Sequence, residues 1–128
     1  LIYLDTSVAL AQLLSETRVP PESLWSEALC SSRLFQYELL IRLRTERVPI
    51  QVIDAAEALC GQLTLIEMRP DVLARATEPF PKGVRTLDAI HLATAEFLAR
   101  QGAKLRLATY DKRMAAVATA MKLELLDC

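Results

Sequence analysis

LIYLDTSVALAQLL, residues 1–14, runs four apolar or aromatic side chains into a carboxylate at Asp5 and turns apolar again at Val8. The first four residues read as a short buried strand and Val8 onward as a helix. Between them Asp5, Thr6 and Ser7 are all good helix N-cap residues. Strand, cap and helix in this order open an α/β fold. The charge at the junction has two explanations: Asp5 caps the helix, or it lines a site where the strand ends.

Downstream the alternation continues. PESLWSEAL, behind Pro20, reads as a helix because proline suits a first turn, and LCSS reads as a weak strand. LFQYELLIRLRTE is a long helix, and IQVIDAAEALC another, opened by Pro49 and closed near Gly61. LTLIEM is a strand and RPDVLARAT a short helix, followed by the loop EPFPKG. RTLDAIHLATAEFLARQG is a helix with Thr86 as N-cap and Gly102 just past its end. KLRLATY is a strand, DKRMAAVATAMK a helix and LELL a last strand. Such alternation implies a mostly parallel sheet with helices on both faces, and ligands at the carboxyl ends of its strands.

At 128 residues with no repeat or low-complexity tract, residues 1–128 are expected to form a single domain. The chain is 52% hydrophobic, yet its charges are scattered. No apolar run approaches the roughly 18 residues of a membrane span. Asp5 breaks the first apolar stretch and no basic segment precedes it, so no secretory signal is expected. A start at Leu1 instead of Met suggests a trimmed or processed beginning. Cys30, Cys60 and Cys128 are odd in number and lack zinc-site spacing, which points to reduced packing cysteines in a cytoplasmic protein. Fifteen basic against sixteen acidic residues leave no bulk basic footprint, so any nucleic-acid contact has to be local.

Four carboxylates need an explanation. Asp111 follows the strand LRLAT as Asp5 follows LIYL, and either could simply cap the next helix. Glu38 has Leu34, Phe35 and Ile41 as helical neighbours, so it lies in a mainly apolar stripe. Its offset is an i, i+4 pair with Arg42 or a bound cation. Asp88 sits in the first turn of a largely apolar helix, where the helix dipole favours a negative charge. Jointly, Asp5, Glu38, Asp88 and Asp111 are expected to converge at the carboxyl rim. Carboxylates a few Å apart repel, so such a cluster needs protons or a hard cation, and oxygen-only ligation suits magnesium or manganese. On that reading capping passes from Asp5 to Thr6 or Ser7.

LIYLDTS, the lone glutamate in LFQYELLIRL, the run TLDAIHLATA and ATYDKRM occur in the order seen in PIN-domain ribonucleases. The chain resembles, across its length, the VapC toxins of toxin-antitoxin pairs. The resemblance implies a three-layer αβα sandwich (PIN-like) and a Mg2+- or Mn2+-dependent acidic site that cleaves RNA to 5′-phosphate and 3′-hydroxyl ends. Asp5, Glu38, Asp88 and Asp111 match the four acidic positions, none of which is lost. Thr6, Ser7 and Thr109 match polar supporting positions. It also implies a homodimer and a cognate antitoxin protein with a segment that crosses the acidic cleft.

The expected chemistry is metal-assisted hydrolysis with no protein nucleophile. Asp5 and Asp88 are chosen as direct ligands, with Glu38 and Asp111 completing the site directly or through water. His91, the sole histidine, lies three residues after Asp88. It reads as a core or supporting imidazole rather than a general base, because metal-activated water needs none. Lys82, Arg85, Lys112 and Arg113 flank the acidic motifs as candidate contacts to RNA phosphates, against the plainer reading of solvated charges. The apolar faces around Leu10, Leu13, Leu14, Leu24 and Trp25 serve either the core or a dimer contact. The alternative function is a non-catalytic PIN-like binding module with an acidic pocket. A phosphoacceptor α/β domain is a weaker rival, because paired acids beside Asp5 are missing.

Overall fold

Ile2, Tyr3 and Leu4 are each at most 1% exposed, as a central strand covered on both faces requires. The computed structural model describes residues 1–128. In chain order it contains β1 (Ile2–Leu4), α1 (Thr6–Leu13), β2 (Leu29–Ser32), α2 (Arg33–Thr45), α3 (Ile50–Gln62), β3 (Thr64–Ile66), α4 (Pro70–Ala76), α5 (Thr86–Arg100), β4 (Arg106–Ala108), α6 (Lys112–Ala120) and β5 (Glu124–Leu125). The strands form one sheet in the order β3-β2-β1-β4-β5, and every neighbouring pair is parallel. The mostly parallel sheet expected from the sequence is wholly parallel.

Strand alternation divides the interior into two layers. Ile2, Leu4, Leu29 and Ala108 point into a core shared with Val8 and Leu10 of α1, Phe35, Leu39 and Leu43 of α2, and Ile53 and Ala56 of α3. Tyr3, Cys30 and Leu107 point the other way, into a core with Leu92 and Ala95 of α5 and Met114 and Val117 of α6. Helices therefore cover both faces, giving the three-layer αβα sandwich. Phe35, Leu39 and Leu43 recur every four residues and are fully buried. Each such side chain contributes about 1.5–3 kcal/mol on burial.

Chain order sets where a crevice opens. From β1 the chain moves outward to β2 and β3, then crosses back to β4 on the other side of β1 and on to β5. The carboxyl ends of β1 and β4 flank this reversal, which is where open α/β sheets bind ligands. Ser31 and Ser32 make the weak strand LCSS work. Ser31 Oγ donates to the Leu4 carbonyl at 2.8 Å, and Ser32 Oγ caps α2 by accepting from the Leu34 amide at 3.1 Å.

Several local expectations give way. PESLWSEAL forms only a 3-10 turn, Glu22–Ser26, because Leu24 alone is buried there and the chain must extend into β2. Helix α3 runs through Gly61 to Gln62, since Leu59 and Cys60 bury its last turn. Thr86 is the first residue of α5 and not its cap; Arg85 occupies that place without a capping side chain. Gly102 does sit just past α5, at φ +93°. Leu10 and Leu24 are buried, and Leu13, Leu14 and Trp25 pack partly buried against the same core, so these residues serve the core. All three cysteines are free. No helix is long and apolar enough to cross a membrane.

Candidate active site

Asp5 leaves β1 with its amide bound to the Ala108 carbonyl at 2.9 Å, so the ends of β1 and β4 are tied together. It occupies the cap position of α1 by backbone conformation, but its side chain caps nothing. Instead Oδ2 accepts from Ser7 Oγ at 2.6 Å and Thr109 Oγ1 at 2.8 Å. Oδ1 has no protein donor. Capping does not pass to Thr6 or Ser7 either. Thr6 Oγ1 donates to Glu38 Oε1 at 3.0 Å and Ser7 Oγ to Asp5, so both hydroxyls serve carboxylates.

Glu38 is not paired with Arg42, which binds Glu46 at 2.7 Å one turn further on. Its Oε1 accepts from Thr6 and from His91 Nε2, the latter at 2.5 Å, while Oε2 has no protein donor. His91 is 1% exposed and its Nδ1 lies 2.7 Å from Tyr3 Oη. His91 is thus a buried imidazole held between a phenol and a carboxylate.

Asp111 caps α6, with Oδ1 accepting from the amides of Arg113 at 2.9 Å and Met114 at 3.1 Å. Capping leaves its second oxygen without a protein donor. Asp88, in the first turn of α5, has no side-chain hydrogen bond and is partly buried. Burial pushes its carboxyl above the ordinary value, and the charges of Asp111 and Asp5 push it further, against a smaller opposing pull from Arg85.

All four acids line one cleft of about 540 Å³, together with Thr6 and Ser7. The expected convergence holds at that scale, but not at the scale of a cage. No three His, Cys, Asp or Glu side chains are gathered closely enough to hold a metal ion. Like charges on neighbouring carboxylates oppose such gathering. The donor set still fits a hard divalent cation, because Asp5 and Glu38 are held through one oxygen each and leave the other free.

The basic candidates separate. Arg85 lines the mouth of the cleft beside Asp88. Lys82 lines a different cavity between α4 and α5, with Phe80 and Leu73, and Lys112 and Arg113 lie exposed on α6 outside the cleft. Sequence reasoning missed two features. Tyr37, Ile41 and Leu87, exposed by 54%, 63% and 45%, form apolar walls of the acidic cleft. Beyond Ser7 the surface continues into a hollow lined by Arg18 and Arg42, with Arg18 stacked 4.4 Å from the Tyr110 ring centre. The available signal for the first was Tyr37 and Ile41 one turn apart around Glu38.

A search of curated proteins returns no match. Among solved structures, a toxin-antitoxin complex from Klebsiella pneumoniae superposes with TM-score 0.63 at 19% identity, over 91% of each chain. VapC20 of Mycobacterium tuberculosis, described as a toxin that cleaves the sarcin-ricin loop, superposes with TM-score 0.70 at 18% identity, over 91% of this chain and 94% of its own. At these identities the likeness concerns the fold. The PIN domain family model matches residues 2–120, and the chain belongs to the PIN domain family.

Proposed function

We propose that this chain is a Mg2+- or Mn2+-dependent endoribonuclease, a VapC-type toxin of a type II toxin-antitoxin system, built as a single domain over residues 1–128. The observation that carries the reading is the set of four carboxylates around one cleft at the carboxyl rim of a PIN fold, two of them fixed through a single oxygen. Asp5, Glu38, Asp88 and Asp111 would hold the cation. When bound, it supplies an acidified water and a positive charge against the scissile phosphate. Thr6, Ser7 and Thr109 keep Asp5 and Glu38 oriented, and Tyr37, Ile41 and Leu87 offer apolar surface to an unstacked base. Arg85 at the mouth and Arg18 and Arg42 beyond Ser7 face the phosphates on either side.

An antitoxin partner, a homodimer and a cytoplasmic location belong to the same proposal. The likeness to a toxin-antitoxin complex supports the first. Gel filtration of the chain alone and with the product of a neighbouring short reading frame tests the first two. Elution as a monomer in both cases counts against them.

The ungathered carboxylates favour one rival, an acidic pocket without turnover. Titrating Mn2+ into purified protein with labelled RNA separates the two. Cleavage that rises with the ion and vanishes in Asp5→Asn supports the nuclease; no cleavage at any concentration leaves the binding module.

A further inference from the structure

A buried chain of hydrogen bonds starts at the N-cap of the helix that carries Glu38 and ends on Glu38 itself. The Ser32 amide donates to Tyr3 Oη at 3.1 Å, Tyr3 Oη lies 2.7 Å from His91 Nδ1, and His91 Nε2 reaches Glu38 Oε1. Tyr3 is fully buried, His91 is 1% exposed, and their rings meet edge to face at 78°. The path runs from the start of α2 through β1 and α5 back to α2, three elements far apart in sequence.

The donors along it follow from chemistry. An ionised carboxylate only accepts, so His91 Nε2 carries the hydrogen that Glu38 receives. A neutral imidazole then presents Nδ1 as an acceptor, which the Tyr3 hydroxyl fills. The Tyr3 oxygen in turn accepts from Ser32. Burial raises the Tyr3 phenol far above its ordinary value, so it stays a donor. One tautomer satisfies every group in the path, with no proton added.

We propose that Tyr3 and His91 are positioning residues that pin Glu38 by Oε1 and so present Oε2 to the cation. This deepens the nuclease reading and rests on it. With Thr6 as second donor, Oε1 is fully engaged, and rotation of the carboxylate would break two bonds. The network spends a buried histidine and tyrosine on the orientation of a single oxygen. Ligands oriented in this way typically lose about 10–100-fold in metal affinity when the outer partner is removed.

Because His91 is the only histidine, its ring nitrogens are read without ambiguity by 15N NMR of the cation-free chain. The expected spectrum is that of the neutral Nε2–H tautomer, and Tyr3→Phe, which keeps the ring and removes the donor, shifts it toward a mixture. Calorimetric titration with Mn2+ gives the second readout. His91→Ala is expected to weaken Mn2+ binding at least ~10-fold, and His91→Gln, whose amide donates from nearly the same place as Nε2, recovers part of the loss. An Nδ1–H tautomer, or a folded His91→Ala and Tyr3→Phe pair that bind Mn2+ like wild type, overturns the positioning role. Wild type that binds no Mn2+ overturns the nuclease reading, and this inference with it.

Discussion

The two walls of the acidic cleft are built differently. On one, Asp5 and Glu38 each receive two side-chain donors on one oxygen, from Ser7 and Thr109 and from Thr6 and His91. On the other, Asp88 receives none and carries the raised pKa, while Asp111 divides its oxygens between the α6 cap and the cleft. The first wall is ordered by the protein alone; the second holds charge that the protein leaves uncompensated. A hard cation entering this cleft would therefore meet two prepared oxygens and would gain by relieving the repulsion opposite them.

The sharpest way to break this comparison is to remove a charge from the ordered wall. Asp5→Asn keeps the hydrogen-bonding shape, so the circular dichroism spectrum should not change while Mn2+-dependent RNA cleavage falls ~1000-fold or more, several kcal/mol of lost stabilisation. A rate near wild type would remove Asp5 from the site. Thr109→Val keeps the volume and removes one donor to Asp5; cleavage and Mn2+ affinity should drop about 10–100-fold, short of the charge deletion. Equal loss in both variants would mean that orientation and charge are not separable here.

Tyr37→Ala tests the apolar wall that both sides share. Loss of one stacked base, about 1–3 kcal/mol, should appear as a higher KM with kcat little changed. The smallest effect is one on stability, and it concerns the uncompensated wall. Asp88→Asn should abolish metal-dependent cleavage yet raise the Tm of the cation-free chain by a few degrees, about 1 kcal/mol or less. The sign follows from linkage: a carboxyl whose pKa is raised on folding binds its proton more tightly folded than unfolded. Between the ordinary and the raised value, unfolding free energy therefore falls as pH rises. Cation-free wild type should gain stability as pH is lowered through that window, and Asp88→Asn should lack this gain.

What the sequence revealed depended on how local each cause was. Strand β1 and helix α1 were legible because burial on both faces leaves a continuous apolar run and the junction carries cap-type residues. Glu38 stood out as a lone acid in an apolar stripe, but its partner did not. Arg42 is the nearest cation in sequence and binds Glu46 instead, whereas His91, 53 positions away, arrives only when α5 packs behind β1 and β2. Tyr3 read as strand filler because nothing in the order of residues tells which hydroxyl a folded core will bring to an imidazole. The segment PESLWSEAL misled for the opposite reason: local preference favoured a helix, and a single buried leucine could not hold one.

The central place of β1 has a consequence for synthesis. One of its two neighbours is β4, Arg106–Ala108, and just after that strand come Thr109, which donates to Asp5, and Asp111, which lines the cleft. During synthesis from the N-terminus Asp5 emerges well before its partners: β1 gains its second flank, and Asp5 its Thr109 donor, only once residues 106–109 are made.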